Sequence, residues 1–209
     1  MPVPSKERRK FLEEARKRYQ GDLTDDARAV DYLTTIRGLS WDNVTYFRLG
    51  VVANPLPGHE AYRGMLSIPY TAPNGDTLSI RFRRLQGDGP KYLTAPGDKP
   101  RLFNTPAVER YSDIMCITEG EFDTMILSQA GLPAMGVPGA QAWKKEWFLI
   151  LKPYRTIYIF VDGDDPGRKF GQMIAEKLSN ARIIELGDGM DVSSFYLEND
   201  ADAILRKVK

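Results

Sequence analysis

The sequence predicts an α/β fold, a parallel sheet with helices on both faces preceded by a smaller, basic α+β subdomain. Three observations carry this. Residues 113–209 alternate short apolar runs with amphipathic ones, the pattern of parallel strands joined by crossover helices. Upstream, MLSIPYTAPNGDTLSIRFRRLQ holds two β-rich runs around a Pro-Asn-Gly turn, the pattern of a hairpin. Charge divides along the same line. Residues 1–110 carry 18 Lys and Arg against 13 acids, and residues 111–209 carry 11 against 15. The expected division is a basic part over 1–105 and an α/β domain over 106–209.

Taken in order, SKERRKFLEEARKRYQ reads as a charged helix with few apolar anchors, a solvated surface element. DLTDDARAVDYLTTIRG reads as a helix with Ala29, Val30, Leu33 and Ile36 at helical spacing, stopped by Gly38. A short helix follows, capped by Ser40 and ended by Gly50. The hairpin comes next, with Arg81 and Arg83 pointing one way and Arg84 at the strand end. GDGPKYLTAPGDKPRLF then reads as irregular chain carrying Lys91, Lys99 and Arg101. In the second half DIMCIT, LPAMGV, TIYIFV and ARIIEL read as strands. EGEFDTMILSQAG, AQAWKKEWFLILK, DDPGRKFGQMIAEKLSN and the tail read as helices.

Composition excludes several chemistries. Cys116 is the only cysteine and His59 the only histidine, so the chain can form no internal disulfide and no Cys/His zinc site. His59, in NPLPGHEAY, reads as an exposed loop residue. No apolar run is long enough to cross a bilayer and no signal core is present, so a cytoplasmic protein is expected. Catalysis is left to carboxylates, cationic side chains and metals.

The acids fall where an α/β sheet puts its chemistry, at the carboxyl ends of strands. DIMCIT runs into Glu119, TIYIFV into Asp162 and Asp164, and ARIIEL leads through GDGM to Asp191. Glu119 and Asp123, four apart, are expected on one face, and Asp162 and Asp164, two apart, on one side. Glycines at 120, 163, 167 and 189 open room beside them. Converging carboxylates repel unless cations lie between them, and oxygen ligands without Cys or His select Mg²⁺ or Mn²⁺. The competing reading is that such acids, Asp164 and Asp165 before Pro166-Gly167 above all, only cap helices.

These residues carry a resemblance. TEGEFDTM is similar to the Glu-Gly-x-x-Asp motif of the Toprim domain, and FVDGDDPGRK to its Asp-x-Asp motif. Toprim domains occur in topoisomerases, primases and nucleases, so the upstream half decides between them. ARAVDYLTTIRGLSWDNVTYFRLGVV, RGMLSIPYTAPNGDTLSIRFRR and GPKYLTAPGDKPRLF resemble, in order, three segments of DnaG-type primase cores. The resemblance spans about residues 25–200.

It implies a DNA primase core that makes short RNA primers on single-stranded DNA by metal-dependent nucleotidyl transfer from nucleoside triphosphates, using two Mg²⁺ ions. Glu119, Asp162 and Asp164 would bind metal, with Asp123 and Asp191 supporting them or holding a second ion. Lys91 would act at the catalytic site, and Arg37, Arg83, Arg84 and Lys91 would line a basic ridge for template or triphosphate. Lys169 would either touch phosphate or cap its helix. Tyr92, Phe82 and Trp41 are assigned to core packing ahead of base stacking. The chain departs from the family pattern at Thr105, where a lysine is usual unless Lys99 or Arg101 replaces it, and at Ser193, where the last acid pair has its second member. The zinc ribbon and helicase-binding region of the family find no counterpart here. The resemblance therefore implies a stripped, phage-like core whose partner is a replicative helicase or a separate zinc-ribbon polypeptide. The rival readings are a Toprim nuclease and a non-catalytic primase-like subunit.

Overall fold

Ser5 opens the first helix, α1 (Lys6–Asp22), by accepting the Arg8 amide at 3.1 Å. In the computed structural model, which describes residues 3–110 and 112–208, this helix is no solvated arm. Leu12, Ala15 and Tyr19 recur at helical spacing and are fully buried against Val52, Leu56, Met65, Ile80 and Phe82. Three apolar anchors are enough when a sheet waits beneath them. The chain divides into two compact units, Met1–Lys99 and Pro100–Lys209.

In the first unit, α2 (Ala27–Asp31) runs into a π-helical turn, Tyr32–Ile36. The wider turn slips the phase of the apolar stripe, so Ile36 is 54% exposed instead of facing the core with Leu33. Helix α3 (Trp41–Tyr46) is capped by Ser40 as expected but ends before Gly50, which begins strand β1 (Gly50–Val51). A side chain at Gly50 would run into the Tyr19 backbone, so the glycine serves close helix–strand approach. β2 (Leu66–Thr71) and β3 (Thr77–Arg83) form the expected hairpin, with a register shift at Tyr70/Thr71. Residues 92–94, expected to be irregular, form β4 (Tyr92–Thr94) antiparallel to β3, giving the order β1-β2-β3-β4.

His59 is a second correction. It is 2% exposed, enclosed by Phe11, Tyr62 and Phe82, with Nδ1 2.9 Å from the Tyr19 hydroxyl. That hydroxyl also accepts the Leu56 amide at 3.0 Å. Burial and the nearby Arg8 charge hold the His59 pKa down at about 4. Phe82 is also core, stacked on Tyr62 at 3.9 Å between centroids. Trp41, assigned to packing, is 44% exposed.

The second unit contains β5 (Ile114–Thr118), α4 (Glu121–Gln129), β6 (Ala134–Gly136), α5 (Trp147–Leu151), β7 (Thr156–Val161), α6 (Asp165–Ala175), β8 (Ala181–Glu185), α7 (Val192–Asn199) and α8 (Ala201–Arg206). Its strands pair in parallel in the order β6-β5-β7-β8. Met115 and Ile117 of β5 with Ile157, Ile159 and Val161 of β7 pack on Trp147 and Leu151 of α5 and Phe170 and Ile174 of α6. Thr118 points to the other face, where its Oγ1 lies 2.8 Å from that of Thr124 on α4. Helices therefore cover both faces, as expected. The segment read as one helix over 140–152 is a 3₁₀ turn, Ala140–Ala142, followed by the short α5. Cys116 is fully buried in the middle of the sheet. Among the described residues, no helix is long and apolar enough to cross a membrane.

Candidate active site

The acidic residues gather because three chain reversals are pinned together beyond the strand ends of the second unit. Glu119 follows β5, and its carbonyl accepts the Gly139 amide at 3.2 Å. Asp162 and Asp164 follow β7 in a tight turn, with the Asp164 amide on the Asp162 carbonyl at 2.8 Å. Gly163 gives its amide to Met190 at 2.8 Å and its carbonyl to Gly189 at 2.8 Å. This stitches that turn to the loop carrying Asp191. A side chain at Gly163 would strike the Gly187 carbonyl and the backbone nitrogens of residues 189 and 190, so only glycine permits the stitch.

Electrostatics bind the five acids into one system. Glu119 is pushed up to about 7, first by burial and then by the charges of Asp164 and Asp123, against one lowering hydrogen bond from the Asp162 backbone. Asp123 is also pushed up to about 7, by burial and by the charges of Asp191 and Asp162, against two lowering hydrogen bonds from Ser193. Oε1 of Glu119 is buried and has no hydrogen-bond partner. A buried, unpartnered carboxylate oxygen facing like charges is costly, and a cation is the partner that would relieve it.

The helix-capping reading holds too. Asp164 caps α6 by accepting the Gly167 amide at 2.8 Å, and Asp191 caps α7 with a full capping box to Ser194. Each bond uses one oxygen of its carboxylate, Oδ1. The acids are close enough to shift one another, yet among the described residues no three His, Cys, Asp or Glu side chains form a ready ligand shell. Lys169 is exposed on α6. Its neighbour Arg168 is held by Asp165 at 3.0 Å and Asp188 at 3.5 Å.

In the first unit, the cations are organised by two tyrosines. The Arg37 guanidinium lies over Tyr32 at 5.5 Å and donates to its hydroxyl at 2.8 Å. Arg83 lies over Tyr32 at 5.2 Å and over Tyr92 at 5.0 Å, while Arg81 sits 4.2 Å above Tyr92. The result is a ladder, Arg37–Tyr32–Arg83–Tyr92–Arg81. Arg84 and Lys91 extend it, the Arg84 amide meeting the Lys91 carbonyl at 2.9 Å. The Lys91 side chain is exposed. Thr105, Lys99 and Arg101 differ in setting: Thr105 and Arg101 are buried and Lys99 is exposed.

Reading the sequence missed Tyr32 and Arg81 as members of this group. The signal was there in a basic strand facing an aromatic one, but it needs the β3–β4 register, in which Arg83 lies opposite Tyr92. Ser193 was seen only as a missing acid, although its amide and hydroxyl each reach Asp123 at 3.1 Å.

Residues 116–196, which hold most of the parallel sheet and the acids beyond its strand ends, match the family model described as Toprim-like. The chain belongs to the DnaG-type primase-core family with a Toprim domain. It is 47% identical over 151 residues to the Gene 57 protein of Mycobacterium phage D29, covering 70% of this chain and 99% of that protein. The DNA primase of Aquifex aeolicus is 26% identical over 155 residues, 68% of this chain and 31% of that protein, so the chain matches about a third of that primase's length. The crystal structure of the RNA polymerase domain of Mycobacterium tuberculosis primase DnaG, in complex with a double-stranded DNA oligomer with a 6-nucleotide overhang, has the same fold. Its TM-score is 0.81 at 19% identity, over 99% of this chain and 81% of that one.

Proposed function

We propose that the chain is the catalytic core of a DNA primase, joining ribonucleotides on a single-stranded DNA template. In this reaction a 3′-hydroxyl attacks the α-phosphate of a nucleoside triphosphate, forming a new P–O bond as pyrophosphate leaves. The observation that carries the reading is the buried, unpartnered oxygen of Glu119 among the charges of Asp123 and Asp164. Glu119, Asp162 and Asp164 are the residues that would hold Mg²⁺ or Mn²⁺. When bound, the ion supplies Lewis-acid polarisation of phosphate and alignment of attacking and leaving oxygens.

The chain's other residues bind and orient. Residues 106–209 would carry the chemistry and residues 1–105 the grip on nucleic acid. Arg37, Arg83, Arg84 and Lys91 hold template phosphates or triphosphate, the ladder tyrosines keeping the guanidinia in place. Lys91, exposed at the end of the ladder, is the cation to meet the triphosphate. Lys169 is assigned to phosphate, since Gly167 already supplies the helix contact to Asp164. The DNA held by the Mycobacterium tuberculosis relative supports a DNA partner. A replicative helicase or a separate zinc-ribbon polypeptide would supply start-site choice and delivery.

The test is an assay with single-stranded DNA, labelled nucleoside triphosphates and Mg²⁺ or Mn²⁺, run with and without candidate helicase and zinc-ribbon polypeptides. Labelled oligomers that grow, and vanish in Glu119→Gln, support the proposal. Oligomers that shorten point to a nuclease. Activity of the complete system that survives Glu119→Gln assigns the chain a non-catalytic binding role.

A further inference from the structure

The five acids are not equivalent in what already holds them. Asp123 is buried on α4, and its Oδ1 accepts both the amide and the hydroxyl of Ser193 at 3.1 Å. Oδ1 of Asp191 accepts the amide of Ser194 at 2.7 Å and its hydroxyl at 2.6 Å. The first turn of α7 therefore directs two backbone and two hydroxyl donors at two carboxylates. The positive ends of those dipoles face Asp123 and Asp191 and compete with a cation for their Oδ1 atoms. At the other end of the cluster Oε1 of Glu119 has no donor, its carboxylate takes one backbone hydrogen bond, from Asp162, and Asp164 takes one from Gly167.

We propose that Ser193 is a positioning residue that ties Asp123 out of the coordination shell and confines the protein-held divalent ion to the end of the cluster formed by Glu119, Asp162 and Asp164. The inference rests on the metal reading above and deepens it. Mg²⁺ demands near-octahedral geometry and adjustable ligands. Asp123, fixed through two donors and enclosed, cannot swing to meet it, so it acts as a distant negative charge. The protein then owns one ion, and any second one comes with the triphosphate, whose own oxygens coordinate it.

Mn²⁺ titration of the purified full chain, followed by electron paramagnetic resonance, tests this. Wild type binds one Mn²⁺. Glu119→Gln weakens binding by about 100-fold or more. Asp123→Asn weakens it by less than Glu119→Gln does, within the about 10- to 100-fold of a lost outer contact, and leaves the zero-field splitting of the bound ion unchanged. Ser193→Asp, which adds a carboxylate beside Asp123 and Asp191, binds two. Two ions in wild type, an Asp123→Asn loss equal to that of Glu119→Gln, or one ion in folded Ser193→Asp overturns the proposal. Asp123→Asn decides alone if Ser193→Asp does not fold. No ion in wild type removes the metal reading itself, an outcome distinct from a misassigned Ser193.

Discussion

Arg83 donates a 2.6 Å hydrogen bond to the hydroxyl of Tyr92, its direct neighbour across the β3–β4 ladder. The same ring lies under Arg81 at 4.2 Å, so one tyrosine holds two guanidinia that would otherwise repel. Tyr92→Phe keeps the ring and loses the hydrogen bond. Tyr92→Leu loses both. Binding of an oligo-dT strand, measured by fluorescence anisotropy, should weaken by about 2- to 3-fold in the first and about tenfold in the second. An unchanged salt slope in both would mean that the cations still reach phosphate from new positions. Equal, negligible losses would show that the ladder does not bind the strand.

Glu119→Gln should separate activity from stability. Primer synthesis should fall by about 100-fold or more, a transition-state loss near 3 kcal/mol. The metal-free variant should nonetheless be more stable at pH 8. A carboxyl raised to about 7 from 4.5 stabilises the fold at low pH, and that contribution is lost as pH rises through 7. Allowing for partial exposure, the gain should be about 1–2 kcal/mol at pH 8 and should vanish near pH 4. Urea denaturation at both pH values checks it.

His59 should give a pH dependence of the opposite sign. With a folded pKa of about 4 against the usual 6.5, its contribution is full above pH 6.5 and is lost as pH falls towards 4, because the unfolded chain takes up the proton first. The loss is on the order of 3 kcal/mol. His59→Gln should be less stable at pH 7 but should show a flatter decline between pH 6.5 and 4. Parallel denaturation curves across that window would rule out the assignment.

Two glycines should respond to alanine in opposite ways. A Cβ on Gly167 would meet the Asp162 backbone and lie 2.9 Å from Oε1 of Glu119, so Gly167→Ala should cost about 2–4 kcal/mol and impair Mn²⁺ binding. Gly21, on α1, has nothing within 4 Å of a new Cβ, so Gly21→Ala should gain about 0.5–1 kcal/mol. Thermal unfolding of the two variants side by side reads both signs.

Much of the second unit was legible because each parallel strand is a continuous apolar run, and the chemistry follows from where such runs stop. DIMCIT and TIYIFV gave their strands and the acids beyond them directly. Less came through in the first unit. Strand β1 has only two residues and is set by Gly50 passing Tyr19, a contact between chain segments some 30 residues apart. His59 lies in a Pro/Gly-rich loop whose local sequence signals exposure, while its burial depends on Phe11, Tyr62 and Phe82. The π-helical turn shifted Ile36 outward, an outcome that a fixed helical period cannot anticipate. The acids were legible as residues and the donors on them were not, since Ser193 reaches Asp123 across 70 positions.

The two sheets also differ in how they can assemble during synthesis. β2 and β3 pair through a hairpin, so the first sheet can begin to zip from neighbouring residues alone. In the second, the earliest strand, β5, ends up between β6 and β7, and its β7 edge stays open until residues 156–161 have been made. That open edge is the point at which a nascent chain is most exposed to misassembly, and a ribosome-bound chaperone would have its strongest claim there.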